Sequence, residues 1–122
     1  MFNFEEKDLT KYEEALEVTP YVFVYGTLKH GCSNWNWALS HETYEGPDTT
    51  QEQYILGDVG FPYMFKDGPE EIRKKVLGDV FLVADPKTMC GLDFLEGEGS
   101  HYHRELIETT GGKTCWSYFN RE

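Results

Sequence analysis

Apolar and aromatic residues occur along this chain in short blocks, a pattern more typical of β-strands than of long helices. Clusters of Gly, Pro, Asp and Asn separate the blocks, which fall at 21–25, 52–56, around 61–65, 76–83, 102–109 and 114–119. The polar stretch 109–112 between the last two blocks predicts a hairpin, and 46–53 and 66–71 are predicted to be exposed loops. About six short strands favour a small, mixed, barrel-like sheet.

Helical periodicity appears in two longer segments. Residues 3–17 predict an amphipathic helix, capped by Asn3 and Glu6 and stopped by Thr19-Pro20. A second helix is predicted to begin at Asp85-Pro86 and to end at Gly97, and 34–40 could form a short third one. The sequence therefore predicts an α+β fold, with residues 1–20 as an N-terminal helical arm and 21–122 as the main domain.

Composition narrows the classes of function. At 122 residues with 39% hydrophobic residues, the chain fits one domain with a real core. A formal net charge of −11 disfavours nucleic acids and anionic membranes as partners. No apolar run approaches the roughly 20 residues of a membrane span, and the acidic start (Glu5, Glu6, Asp8) does not resemble a signal peptide. We therefore expect a cytosolic protein.

The three cysteines, Cys32, Cys90 and Cys115, are widely spaced and form no Cys-x-x-Cys pair, which predicts reduced thiols. Cys32 follows His30 by two positions, so the two could be drawn as a nucleophile and its base. The alternative is that Cys32 is simply a small residue beside the glycine turn.

The most informative segment is 21–31, in which an apolar, aromatic strand ends abruptly in a glycine turn. Gly26 tolerates backbone angles that other residues resist, so the turn could direct N–H groups toward an anion or a developing oxyanion. The alternative is that Gly26 merely ends a strand and that Lys29 faces solvent.

Glu96 is the best candidate for acid–base chemistry. It is placed at the carboxyl end of the second predicted helix beside Leu95, where desolvation and the helix dipole would both raise its pKa. The alternative is an exposed glutamate, as at the neighbouring Glu98. Asp93, one turn earlier on the same face, is the main competitor, and Arg104 could pair with such a carboxylate or lie on a strand surface.

His101 and His103 share one face of a predicted strand, a spacing compatible with a metal if a carboxylate joins them. A solvated histidine pair is the simpler interpretation, and we predict no metal site. The tryptophans are expected in the core or in a cavity wall, at positions Trp35, Trp37 and Trp116.

The run from Val24 to Lys29, followed by Gly31-Cys32-Ser33-Asn34, resembles the signature of the gamma-glutamylcyclotransferase-like superfamily, whose small members include gamma-glutamylamine cyclotransferase. A second match lies downstream in the expected order, at Leu92–Gly97 and Tyr102-His103-Arg104. Weaker echoes at 60–62 and 77–81 extend the resemblance over about residues 21–119.

The resemblance implies a γ-glutamyl substrate that is cyclised by its own α-amine, giving 5-oxoproline and a free amine or amino acid. It implies Glu96 as general base and then acid, without metal or cofactor. It also implies that the backbone of the glycine turn binds the oxyanion or the α-carboxylate and that two tyrosines line the pocket, which adds Tyr25, Gly26, Thr27, Leu28 and Tyr102 as substrate-binding residues.

The sequence departs from the family pattern at 34–37, where Asn-Trp-Asn-Trp replaces the frequent Asn-His and could narrow the pocket mouth. Two other kinds of function stay open. The scaffold could be a catalytically inactive module that binds a small molecule or peptide, or an interaction protein that uses its acidic surface and helical arm. The particular γ-glutamyl compound and the oligomeric state are not predicted.

Overall fold

The computed structural model describes residues 9–25, 39–58, 62–66, 69–96 and 102–120, with the backbone alone at positions 57, 58, 62, 63, 94–96, 102 and 120. The described residues form two α-helices, seven β-strands and a short 3₁₀ helix at Glu70–Ile72. In chain order the elements are α1 Thr10–Val18, β1 Tyr21–Val24, β2 Thr43–Thr49, β3 Ile55–Asp58, β4 Pro62–Phe65, β5 Leu77–Leu82, α2 Pro86–Glu96, β6 Tyr102–Glu108 and β7 Thr114–Asn120.

Five strands form one sheet in the order β2-β5-β1-β7-β6, and β3 and β4 form a separate hairpin. The central strand β1 is antiparallel to β5 and parallel to β7. Among the described residues, the chain segments that follow the outer strands β2 and β6 are joined by one isolated bridge, between Thr50 and Thr109. The predicted α+β class is confirmed, whereas a single bridge does not confirm the barrel-like description.

The loop predicted at 46–53 is wrong over its first half, because Thr43–Thr49 pairs with β5 as strand β2. Gly46, Pro47 and Asp48 have turn-forming character, but β2 is an outer strand, where proline is tolerated. A register shift between Tyr44 and Gly46 marks a bulge, and Gly46 adopts a φ of 111°, which favours glycine. Long-range pairing therefore decides the structure of this segment.

Two predicted helix boundaries, the end of α1 and the start of α2, fall within the described residues, and the structure has both. Asp85 caps α2 by accepting a hydrogen bond from the Lys87 N–H at 2.9 Å, and α1 ends where the Thr19 N–H donates to the Ala15 carbonyl. Asn3 and Glu6 of the predicted cap, and most of the predicted helix at 34–40, lie outside the described residues. Neither described helix is long and apolar enough to cross a membrane.

The core has two halves, one on each face of β1. Val22 and Val24 pack with residues of both helices, including Met89 and Leu92. Phe23 points to the opposite face and belongs to a second cluster that the β3–β4 hairpin covers, with Tyr54, Met64, Val80 and Phe119. The alternation along β1 thus fixes which side chains face α2 and which face the hairpin.

Strand β5 passes very close to the end of β1 at Gly78. A Cβ atom there would lie 2.3 Å from the Val24 carbonyl oxygen and 2.6 Å from Cζ of Phe23. A side chain at this position would push against backbone, which has no room to move. Gly78 therefore lets β5 hold the carboxyl end of β1 in place, just before the predicted glycine turn.

Candidate functional site

Several strands of the main sheet begin or end on the same side of it. We name this side, where the strand termini lie, the loop edge. Because β1 is parallel to β7, with Val22 opposite Trp116, both strands end there. Strand β6 is antiparallel to β7 and begins there, with Tyr102 opposite Asn120. Only β7 separates β1 from β6, so their ends are about 10 Å apart.

The predicted site residues fall on elements that reach this edge. Tyr25 directly follows β1, Tyr102 is the first residue of β6, and Glu96 is the last residue of α2. The side chains of Glu96 and Tyr102 are not described, and the glycine turn lies outside the described residues. That turn comprises Gly26, Thr27 and Leu28, and Cys32 and His30 also lie outside.

The hydroxyl of Tyr25 fastens two strands at the loop edge. It donates a hydrogen bond to the Tyr118 carbonyl oxygen at 2.7 Å, and it accepts one from the Met64 N–H at 3.1 Å. Its ring packs against the core half under the β3–β4 hairpin. Tyr25 thus joins β4 to β7 immediately before the turn.

Asp93 is held by two partners from the sheet. Its carboxylate forms an ion pair with the Arg104 guanidinium and accepts a hydrogen bond from the Tyr118 hydroxyl at 2.5 Å. Asp93 is only 6% exposed. Burial tends to lower the pKa of Arg104, but the hydrogen bond and charge of Asp93 outweigh it and raise that pKa. Of the two alternatives considered for Arg104, the structure shows the pairing with a carboxylate, and that carboxylate is Asp93.

Helix α1 covers this ion pair. The Arg104 guanidinium lies 5.1 Å from the Trp116 ring centroid and 5.9 Å from that of Tyr12, and Trp116 donates to the Ala15 carbonyl oxygen at 2.9 Å. Burial, followed by a hydrogen bond with Cys90, raises the pKa of the Tyr12 phenol. These contacts fasten α1 and the sheet around Arg104, whose Nε has no hydrogen-bond partner among the described residues.

The Asp93 contacts also locate the end of α2. Glu96 follows Asp93 by three helical residues, a rise of about 4.5 Å. Asp93 hydrogen-bonds Tyr118, and the backbone of Tyr118 bonds Tyr25. A short series of contacts therefore connects the last turn of α2 to the residue that precedes Gly26.

A second group of charged side chains at this edge was not predicted. Glu105 contacts His103 Nε2, and its other oxygen lies 2.5 Å from Lys66 Nζ. Burial would raise the pKa of Glu105, but Lys66 and His103 together lower it. The i, i+2 spacing of His103 and Glu105 could have indicated this pair, whereas nothing local indicates Lys66.

The structure offers no support for a metal within the parts of the chain that it describes. No group of three His, Cys, Asp or Glu side chains suited to a metal ion occurs in those ranges, and His101 lies outside them. Cys90 and Cys115 are free thiols, and burial raises the pKa of Cys115 to about 12.

The opposite edge of the sheet, which we name the hairpin edge, contains the β6–β7 turn. The predicted hairpin is confirmed by the Gly112 N–H donating to the Thr109 carbonyl at 3.0 Å. Asp48 Oδ1 accepts three hydrogen bonds there, from the Thr49 N–H, the Thr110 hydroxyl and the Gly111 N–H. An open cavity of about 310 Å³ lies between β2 and this hairpin, lined in part by Glu45, Asp48 and Lys113.

Comparison with known sequences gives a consistent assignment. Residues 22–122 match the family described as "Gamma-glutamyl cyclotransferase, AIG2-like". A Vibrio cholerae protein named "Putative gamma-glutamylcyclotransferase" is 42% identical over 102 residues, covering 83% of this chain and 82% of that protein. A Methanocaldococcus jannaschii protein with the same description is 34% identical over 106 residues, covering 84% and 85%.

Comparison with solved structures shows that they share this fold. A mouse AIG2-like protein superposes with a TM-score of 0.70 at 25% identity, covering 84% of this chain and 77% of that one. An uncharacterised Pyrococcus horikoshii protein gives a TM-score of 0.68 at 24% identity, covering 85% and 80%, and shows the same fold. These findings confirm the resemblance and the enzyme class that the sequence predicted.

Proposed function

Because this chain belongs to the gamma-glutamyl cyclotransferase, AIG2-like family, we propose that it cleaves a γ-glutamyl amide by intramolecular cyclisation. The α-amine nitrogen of the glutamyl group attacks the γ-carbonyl carbon, a new C–N bond closes the ring, and the original amide C–N bond breaks. The products are 5-oxoproline and a free amine or amino acid. These steps move protons but no redox electrons, so the proposal includes no cofactor.

In this proposal Glu96 moves the protons. Its carboxylate takes a proton from the α-ammonium group, which frees the lone pair for attack, and then returns it to the leaving nitrogen. A position at the carboxyl end of α2 suits this role, because the helix dipole disfavours negative charge there and raises the affinity for a proton. Asp93 does not fit the role, because its carboxylate already serves Arg104 and Tyr118.

The glycine turn would stabilise negative charge. The N–H groups of Gly26, Thr27 and Leu28 are proposed to bind the oxyanion on the γ-carbonyl or the α-carboxylate, and one such donor is worth about 3 kcal/mol of barrier. Tyr25 and Tyr102 are proposed to line the pocket. Nucleophile and electrophile share one molecule, so the protein mainly has to hold a reactive conformer.

The observation that best supports this proposal is the series of contacts from Asp93 through Tyr118 to Tyr25. It fastens the last turn of α2 and the end of β1 to the same strand, β7. Tyr25 follows β1 and directly precedes Gly26 in the sequence, and α2 ends at Glu96. Two elements that must act on one small substrate are thereby fixed relative to each other.

The test is to incubate the protein with a panel of γ-glutamyl amines and γ-glutamyl dipeptides and to measure 5-oxoproline by chromatography. Glu96→Gln should lower turnover by about 10²- to 10⁴-fold with an unchanged circular dichroism spectrum. Glu14→Gln, which alters an exposed glutamate on α1, is the matched control and should keep full activity.

Three outcomes would count against the proposal. A Glu96→Gln variant that keeps more than about a tenth of the activity would remove Glu96 from the chemistry. Tight binding of a panel member without turnover would instead favour the inactive binding module. Binding of a macromolecule that survives Glu96→Gln and requires residues 1–18 would favour the interaction protein.

A further inference from the structure

The ion pair between Asp93 and Arg104 lies on the face of the main sheet that α2 covers. Arg104 and Tyr118 are opposite each other on β6 and β7, and Tyr118 packs in the same half of the core as Leu92 of α2. The side chains of Asp93 and Arg104 are only 7% and 14% exposed. Two opposite charges are therefore held in a fixed position beside the last turn of α2.

Helix α1 shields this pair from water. The Arg104 guanidinium lies 5.9 Å from the ring centroid of Tyr12 and 5.1 Å from that of Trp116, and Tyr12 and Ala15 are the buried residues of α1. Charges that water cannot reach are weakly screened, so they act on neighbouring titrating groups more strongly than surface charges do. Helix α1 precedes residues 22–122, over which the family matches, so this shielding comes from outside the matched domain.

The last residue of α2 lies within range of both charges. Glu96 follows Asp93 by three positions on the helix, and residues with this spacing have Cβ atoms about 5–6 Å apart. A unit charge about 8 Å away, acting through an effective dielectric constant of about 30, moves a titration by about one pH unit. The two charges can therefore change the proton affinity of Glu96, and they do so in opposite directions.

The titratable and charged groups packed together here come from four elements. Within the described ranges they are Asp93 and Cys90 of α2, Arg104 of β6, Tyr118 of β7, and Tyr12 with the exposed Lys11 of α1. Tyrosine and cysteine side chains ordinarily titrate far above the acidic range in which a carboxylate does, and burial raises the pKa of the Tyr12 phenol further. Solvent screens the charge of Lys11. The buried charges of this group in the acidic range are therefore those of Asp93 and Arg104.

We infer that the Asp93–Arg104 pair, shielded by α1, sets the proton affinity of Glu96 by keeping the net charge beside this general base at zero. The inference rests on the proposed function. Asp93 and Arg104 take no proton in that scheme and act through Glu96, so they are positioning residues. While the pair is intact, the helix dipole governs the proton affinity of Glu96. Once either partner is removed, the remaining buried charge governs it.

A purely structural role is the competing explanation, because a buried ion pair also fastens α2 to β6. The acid limb of the kcat/KM profile against pH reports the proton affinity of the essential base in the free enzyme. Loss of a structural contact destabilises the protein in both single variants and gives no reason for their acid limbs to move in opposite directions. The sign of the shift therefore separates the two explanations.

The experiment measures kcat/KM from about pH 4 to about pH 9 with the panel member that the wild type turns over fastest. Asp93→Asn leaves the positive charge of Arg104, so the acid limb should move down by about one pH unit. Arg104→Gln leaves the negative charge of Asp93, so the limb should move up by a similar amount. The double variant is neutral again, and its limb should lie within about 0.3 pH unit of the wild-type limb.

Two exposed charges provide matched controls. Lys87→Gln removes a positive charge from α2 itself, and Glu14→Gln removes a negative charge from α1. Solvent screens both charges, so neither change should move the limb by more than about 0.2 pH unit. Each profile is recorded where circular dichroism shows the variant folded, with trehalose added if a variant needs stabilising. Because the two single variants have independent predicted signs, one of them is sufficient when it is compared with the double variant.

The outcomes distinguish the inference from the proposed function. An acid limb that stays within about 0.3 pH unit of the wild-type limb in a folded single variant, or that moves against its predicted sign, would overturn the inference. The proposed function would stand in that case, provided that Glu96→Gln is inactive. A Glu96→Gln variant that keeps the activity and the acid limb of the wild type would refute the proposed function, and the inference with it.

Discussion

The two edges of the main sheet use charged side chains differently. At the hairpin edge, Asp48 accepts hydrogen bonds from neighbouring backbone and hydroxyl groups, and Gly111 lies so close that a Cβ atom there would be 2.5 Å from Asp48 Oδ2. At the loop edge, Asp93 and Glu105 instead pair with Arg104, Lys66 and His103.

Under the proposed function, this difference separates structural polar groups from those that support activity. The Asp48 contacts join β2 to one turn and satisfy groups that folding would otherwise leave without partners. The loop-edge contacts involve strands β6 and β7, helix α2 and the β3–β4 hairpin. They lie near the end of β1, which precedes Gly26, and near the last turn of α2, which ends at Glu96. We therefore expect changes at the hairpin edge to affect stability alone and changes at the loop edge to affect stability and activity together.

The largest effect on stability is expected from Asp93→Asn. The substitution leaves the Arg104 guanidinium, whose side chain is 14% exposed, without its carboxylate. Removing one partner of a buried ion pair costs about 3 kcal/mol of unfolding free energy or more. Urea denaturation followed by circular dichroism measures the loss, and a decrease below about 1 kcal/mol would contradict the burial of this pair.

The double variant Asp93→Asn with Arg104→Gln is the control for the same pair. Removing both charges should recover part of the stability, since no charge is then left buried alone. Each variant should keep measurable activity wherever it is folded, because the proposed function gives the proton transfers to Glu96 and not to Asp93. Complete loss of turnover in a folded Asp93→Asn protein would instead place Asp93 in the chemistry and displace Glu96.

A smaller effect is expected from Tyr25→Phe. The change removes one hydroxyl and leaves the Tyr118 carbonyl and the Met64 N–H without that partner, which should cost about 1–2 kcal/mol in urea denaturation. Because Tyr25 precedes the glycine turn, 5-oxoproline formation should also fall. Tyr21→Phe at the other end of β1 is the matched control, and an equal loss of activity there would remove the distinction between the two edges.

Local signals in the sequence were sufficient for several elements. The Asp85-Pro86 start and the glycine after Glu96 predicted α2, whose described bounds are Pro86–Glu96, and Thr109–Gly112 predicted the hairpin between β6 and β7. These succeed because caps and turns are decided by a few adjacent residues. The family motif added the expectation that the end of β1 and the end of α2 act together.

Long-range contacts were not predictable in the same way. The sequence predicts a loop from residue 46, within strand β2, because the Gly-Pro-Asp composition there says nothing of the pairing with β5. It also cannot assign Lys66 to Glu105, which is 39 residues away. The pairing of Arg104 with Asp93 was open because both Asp93 and Glu96 were available. The roles of the site residues, the cytosolic location and the division at residue 20 stay predictions.

The smallest effect is expected from Asp48→Asn at the hairpin edge. Burial tends to raise the Asp48 pKa, but hydrogen bonds from the hairpin and from Thr49 lower it below the usual value. A carboxyl group whose pKa is lower in the folded state stabilises the fold above its unfolded pKa, about 3.9, and loses this contribution as pH falls through the folded pKa. At pH 7 the substitution should cost about 1 kcal/mol in urea denaturation, with no change in 5-oxoproline formation.

The pH dependence makes this last comparison specific. The stability difference between wild type and Asp48→Asn should be largest near neutral pH and should shrink below about pH 4, where the wild-type carboxylate becomes protonated. Glu45→Gln is the control, because it removes one negative charge from an exposed position on the same strand, so it reports the general benefit of reducing the net charge of −11. If Asp48→Asn lowered turnover as well as stability, the hairpin edge would no longer be purely structural, because Asp48 would then be coupled through β2 and β5 to the end of β1.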